Sequence, residues 1–92
     1  MGEPVRLSLR IVNEKGLHAR ASARFVETVE RFDARAEVSK DGISASGDSI
    51  MGLLMLAASR GTTIEVETRG RDAQLLAEAL QALVAGRFGE PM

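Results

Sequence analysis

Ala34-Arg35-Ala36-Glu37-Val38-Ser39-Lys40-Asp41-Gly42-Ile43-Ser44-Ala45 is the stretch on which the fold turns. Ala34, Ala36 and Val38 alternate with Arg35, Glu37 and Ser39, the period of a half-buried strand. Asp41-Gly42 follows at once and leads into Ile43 and Ala45. An Asp-Gly pair between two alternating runs predicts a two-residue hairpin, because both turn residues need positive φ. An antiparallel strand pair therefore lies in the middle of the chain, and any sheet has to be built on it.

Upstream, Val5, Leu7, Leu9 and Ile11 alternate with Arg6, Ser8 and Arg10, which predicts another strand. Asn13-Glu14-Lys15-Gly16 breaks the alternation and reads as a loop. From Ala19 the period changes: Ser22, Phe25, Val26, Val29 and Phe32 recur three or four apart, so one helix face turns to the core until Asp33 ends the run. Downstream, Gly47-Asp48-Ser49 punctuates the chain, and Ile50 to Ala58 predicts a short helix that Gly61 helps end. Ile64 and Val66 alternate with Glu65 and Glu67 as a fourth strand. Asp72 can cap a last helix with Leu75, Leu76, Ala79, Leu80, Leu83 and Val84 on one face. Gly86 to Met92 forms a short tail in which Phe88 can fold back.

The order β-α-β-β-α-β-α, with strands polar on one face and helices apolar on one side, predicts an α+β open-faced sandwich with helices on a single side. This pattern leaves the strand order open between the ferredoxin-like arrangement and its relatives. Ninety-two residues suffice for one core. The expectation is a single domain over residues 1–92 with its core at about 5–88.

Composition narrows the function. A formal charge of −1 and a pI near 5.8 lack the basic excess of a nucleic-acid binder. Aromatic residues are 3%, all of them Phe, so no stacking platform for single-stranded nucleic acid is available. With no cysteine and a single histidine, disulfides, thiolate chemistry and a zinc site are not expected, and no cofactor is implied. The start Met1-Gly2-Glu3-Pro4 has no basic-then-apolar signal segment, and Ile50 to Ala58 is too short to span a bilayer. The expectation is a cytoplasmic, monomeric protein with no membrane insertion.

His18 is the candidate for chemistry. It stands after a glycine-containing loop, at the first turn of the first helix, where free N–H groups and the positive end of the helix dipole form an anion site. An imidazole there is a nucleophile beside a phosphate cradle, and the helix start disfavours its protonated form. Arg20 adds a guanidinium able to bond phosphoryl oxygens. Ser49 is placed to N-cap the short helix. That helix is apolar on nearly every side, through Ile50, Met51, Leu53, Leu54, Met55 and Leu56, and reads either as an unusually buried helix or as a partly exposed docking patch.

Gly16-Leu17-His18-Ala19-Arg20, followed by Ala21-Ser22, resembles the active-site segment of the HPr family, the histidine-containing phosphocarriers of the bacterial phosphotransferase system. Ser49-Ile50-Met51-Gly52-Leu53 resembles that family's regulatory-serine segment, at fitting spacing. The resemblance runs from Val5 to about Phe88. It implies a sheet of order 1-4-2-3 covered on one face by three helices. It also implies phosphorylation of His18 on Nδ1 by enzyme I with phosphate from phosphoenolpyruvate, transfer onward to an EIIA protein or domain, and support of the phosphoryl group by Arg20. Such a protein is a carrier and not an enzyme in its own right. The match to Ser49 implies phosphorylation by an HPr kinase/phosphorylase. Ala19, Ala23, Arg24, Ile50, Met51 and Leu54 are the residues expected to meet partners.

Two departures from the family pattern stand out. Ala21 replaces the proline that often follows the active-site arginine, and Glu27 and Glu30 stand where many sugar-pathway members carry lysines. Acidic residues there weaken attraction to an acidic partner. They leave open an alternative: a regulatory module of a nitrogen-related phosphotransferase chain, working mainly through phosphorylation-dependent binding.

Overall fold

The computed structural model describes residues 2–92. Its elements run β1 (Val5–Arg10), α1 (Ala19–Glu30), β2 (Arg35–Lys40), β3 (Ile43–Ser46), α2 (Ile50–Met55), β4 (Thr63–Arg69) and α3 (Ala73–Ala85), followed by a short turn at Arg87–Gly89. The four strands form a single antiparallel sheet in the order β1-β4-β2-β3. The alternation in the sequence left that order open, and the resemblance implied it. The hairpin forms as its residues dictate: Asp41 (φ 52°) and Gly42 (φ 82°) both take the left-handed conformation, and Lys40 pairs with Ile43 across the turn.

Register places the apolar residues on one face. Leu7 and Leu9 of β1 stand opposite Val66 and Ile64 of β4, and Val38 of β2 stands on the other side of Val66. The helices cover this face. Phe25, Leu53, Leu76, Leu80 and Phe88 join Ile11, Val38 and Ile64 in one core with no solvent exposure. The opposite face is open and charged. There Glu67 accepts from Arg6 (2.6 Å) and Arg69 (2.9 Å), which together hold its carboxyl below the usual range. Pairs this exposed contribute little to stability.

Four expectations are corrected. The first helix ends at Glu30 with Arg31 as its cap, so Phe32 lies in the following turn, half-buried against the core. The second helix stops at Met55 and not at Ala58. Leu56 and Ala57 donate back to Leu53 and Leu54 in a tightened last turn, and Ala57, at φ 51°, turns the chain away. That exit lets the carbonyl of Ala58 accept from the amide of Leu17 (2.9 Å), while Gly61 shapes the approach to β4 instead of ending the helix. In α3 the buried stripe is Ala73, Leu76, Ala77, Leu80 and Val84, with Ala79 and Leu83 half-buried. Leu75 is 55% exposed, because a residue one position from Leu76 points about 100° away on the helix. Asp72 stands at the N-cap position but makes no cap bond; its carboxylate accepts from the amide of Asp33 and ties the helix start to the turn before β2.

Candidate functional site

The loop between β1 and α1 is held from below. Ile11 continues the strand by exchanging backbone bonds with the turn before β4, its amide to Thr62 and its carbonyl to Gly61. Gly16 takes φ +67°, and a Cβ there would lie 2.6 Å from the carbonyl oxygen of Ala58. Only glycine tolerates both the conformation and the approach. Leu17 is buried beside it, which fixes where the next residue emerges.

That residue is His18, the N-cap of α1, with extended backbone (φ −78°, ψ −176°). Its carbonyl accepts the first helical bond, from Ser22 (2.8 Å), but its side chain caps nothing. The amides of Ala19, Arg20 and Ala21 therefore have no acceptor within the helix, and the positive end of the helix dipole is open. The imidazole is 28% exposed, enough for a partner to reach one edge of the ring. Arg20 is exposed and joins none of the ion pairs among the described residues. His18, Ala19 and Arg20 line a surface cleft of about 530 Å³ together with Glu14, Lys15, Glu90, Pro91 and Met92.

Two residues of this site were not singled out in the sequence. Glu90, in the tail, places one carboxylate oxygen in a short hydrogen bond with Nε2 of His18, 72 residues away in the chain. Its other oxygen accepts from Nδ2 of Asn13 (2.9 Å). Asn13 is fully buried, and the same Nδ2 also donates to the carbonyl of Gly16 (2.8 Å). Burial works to raise the Glu90 carboxyl, but the bonds from Asn13 and His18 and the charge of Lys15 outweigh it, and the group is held below the usual carboxylate range. An ionised carboxylate can only accept, so the nitrogen it faces carries a hydrogen.

The tail reaches this point through unusual backbone. Arg87 (φ 59°), Phe88 (φ 55°) and Gly89 (φ 80°) are three successive left-handed residues. For the two that are not glycine this conformation costs roughly 1–2 kcal/mol each. Burying the Phe88 side chain completely offsets it by about 1.5–3 kcal/mol. The one sequence signal for this arrangement was Phe88, the single aromatic residue of the tail. Nothing local pointed to Asn13.

The remaining predicted residues lie elsewhere. Ser49 caps α2, its Oγ accepting from the amide of Gly52 (3.0 Å). Ile50 and Met51 are 40% and 70% exposed, Leu54 is half-buried, and none of the three lines the His18 cleft. Ala23 is half-buried. Arg24 is exposed and lines a separate shallow groove with Thr28, Arg31, Ala82 and Gly89. Among the described residues no group of three or more His, Asp or Glu could hold a metal ion, and no helix is long and apolar enough to cross a membrane.

A small α+β domain that presents one imidazole at an uncapped helix start, with a guanidinium two residues on, defines a surface histidine module. The family model described as the PTS HPr component phosphorylation site matches residues 5–86, and the chain belongs to that family of phosphocarrier proteins, components of the phosphotransferase system. It is 46% identical over 86 residues to the phosphocarrier protein HPr of Neisseria meningitidis serogroup A, covering 94% of this chain and 97% of that protein. It is 39% identical over 80 residues to the phosphocarrier protein NPr of Shewanella violacea, covering 87% of this chain and 88% of that one. Among solved structures, HPr from Thermoanaerobacter tengcongensis superimposes with a TM-score of 0.90 at 34% identity, covering 96% of this chain and 99% of that chain.

Proposed function

We propose that the chain, acting as one HPr-like domain, accepts a phosphoryl group on His18 from enzyme I, charged by phosphoenolpyruvate, and passes it to an EIIA protein or domain. The observation that carries this reading is the uncapped start of α1, with an accessible imidazole beside amides that have no helical acceptor. The lone pair of Nδ1 attacks phosphorus and the bond from phosphorus to the donor breaks. The developing charge on the phosphoryl oxygens meets the amides of α1 and the guanidinium of Arg20. The reverse sequence delivers the group to the acceptor. The partners' larger surfaces provide the alignment, so catalysis is shared between two proteins.

Exposed Ala19 and Arg24 on α1, with Ala23 between them, and the apolar Ile50, Met51 and Leu54 on α2 form the surface assigned to partners. Met51 supplies an adaptable contact for more than one of them. Phosphorylation of Ser49 by an HPr kinase/phosphorylase would add negative charge on that apolar patch and weaken docking. Incubation with phosphoenolpyruvate and the cognate enzyme I, followed by mass spectrometry, should show one acid-labile phosphoryl group that is absent in His18→Ala. Uptake undiminished in His18→Ala would overturn the reading.

A second reading is supported by Glu27 and Glu30, both exposed on α1, and by the likeness to an NPr protein: a regulatory module of a nitrogen-related chain. In that case His18→Ala keeps its Ser49-dependent binding to a partner, whereas in a carrier the loss of His18 removes function altogether.

A further inference from the structure

We propose that Glu90 is a positioning residue which, by holding the Nε2–H of His18, leaves Nδ1 as the ring nitrogen that bonds to phosphorus. The inference deepens the reading of His18 as phosphoryl acceptor and rests on it for the physiological donor.

An imidazole offers two nitrogens of similar nucleophilicity, and a helix terminus by itself does not choose between them. Neutral imidazole carries hydrogen on one nitrogen and a lone pair on the other. A carboxylate oxygen of Glu90 stands within hydrogen-bond distance of Nε2, and a carboxylate has no hydrogen to give. The hydrogen therefore resides on Nε2 and the lone pair on Nδ1. The same contact shields Nε2 from a phosphorus atom, since the carboxylate occupies the line of approach. When Nδ1 attacks, the ring becomes positive, and Glu90 is placed to balance that charge.

The placement of Glu90 is over-determined, as a selecting device requires. Asn13 bridges its carboxylate to the carbonyl of Gly16, so the acceptor is tied to the loop that carries the histidine. The amide of Glu14 donates to the backbone oxygen of Met92 (3.0 Å), and Arg87 donates to the carbonyl of Pro91 (3.3 Å), which holds the residues that follow Glu90. Phe88 is anchored in the core through backbone that a bulky side chain rarely adopts. Strain of this kind persists only where the surroundings enforce it, and here it delivers the carboxylate to the ring.

A small donor tests the choice of nitrogen without any partner protein. In phosphoramidate, attack by Nδ1 forms the nitrogen–phosphorus bond as the bond to the amine breaks. Neutral ammonia departs with that electron pair, and the ring keeps its Nε2 hydrogen as an imidazolium facing Glu90. The full chain is incubated with potassium phosphoramidate, and long-range ¹H–¹⁵N and ³¹P NMR identify the substituted nitrogen. Wild type should carry phosphate predominantly on Nδ1. Glu90→Ala should shift the Nδ1:Nε2 ratio towards Nε2 by about tenfold or more, the discrimination a hydrogen bond to a charged group provides. Glu90→Gln keeps an acceptor oxygen and should hold the ratio within about threefold of wild type. Backbone amide spectra establish that each variant is folded, and the unphosphorylated ring should show its hydrogen on Nε2 in wild type.

Wild-type product on Nε2, a Glu90→Ala ratio unchanged from wild type, or a Glu90→Gln ratio equal to that of Glu90→Ala overturns the proposal. Failure of the carrier reading gives a different result: no uptake from enzyme I while the phosphoramidate isomer ratio still responds to Glu90.

Discussion

Helices α1 and α2 begin alike and end in opposite uses. Each has an extended N-cap residue, His18 (ψ −176°) and Ser49 (ψ 108°), whose carbonyl accepts the first helical bond. Ser49 turns its hydroxyl back onto the amide of Gly52 and satisfies the helix locally. His18 does not: its ring faces a carboxylate from the other end of the chain, and the amides behind it stay without helical partners. The Ser49 hydroxyl stays on its own helix, whereas the His18 ring is held by Glu90. One helix start is therefore consumed by structure, and the other is left for chemistry.

The largest expected contrast is in phosphoryl uptake. His18→Ala should abolish acceptance from enzyme I, while Ser49→Ala should leave it intact. Mass spectrometry on both variants reads the difference, and uptake lost in both would erase the distinction between the two termini.

The next effect concerns the anchor behind His18. Phe88→Ala should destabilise the protein by about 3–5 kcal/mol in urea unfolding, as for other fully buried aromatics. At subdenaturing conditions it should also shift the ring resonances of His18 without moving the amide of Gly52. A shift confined to the vicinity of α2 would break the link between tail and ring.

Arg20→Ala should weaken phosphoryl acceptance by about tenfold to a hundredfold, the value of a hydrogen bond to a charged group. It should leave stability unchanged, since Arg20 is exposed and joins no ion pair among the described residues. Ser49→Ala should show the converse: a stability loss of about 1 kcal/mol from the missing cap and no change in uptake.

The smallest effect is set by pH. The Glu90 carboxyl is lowered in the folded protein, so its contribution to stability is present above the unfolded value of about 4.3 and is lost as pH falls below it. Amide resonances of Gly89 and Glu90 should move in that acidic window, with those of Ser49 and Gly52 unaffected.

What could be read from the residues alone follows from the range of the forces involved. The Asp41-Gly42 turn depends on the torsional preferences of two neighbours, and it formed where the pattern put it. The helix and strand periods depend on residues within two turns of each other, and the order of elements followed. Ends were less legible. Helix α2 closes at Met55 because Ala57 turns the chain so that Ala58 can meet Leu17, a contact 41 residues across that no local pattern encodes. The rotation of α3 that exposes Leu75 and buries Ala77 is likewise a packing outcome.

The site divides along the same line. His18, Arg20 and Ser49 are legible because a helix start advertises itself through nearby residues, and because two motifs at fitting spacing resemble one family. Asn13 and Glu90 are not, since a loop asparagine and a tail glutamate acquire meaning only when the fold brings them together. Short-range torsion and periodicity settled the elements and put His18 at the start of α1. Which nitrogen of that ring faces Glu90 depends on a contact closed by burying Phe88, and hydrophobic burial acts over distances in the chain that no local reading spans.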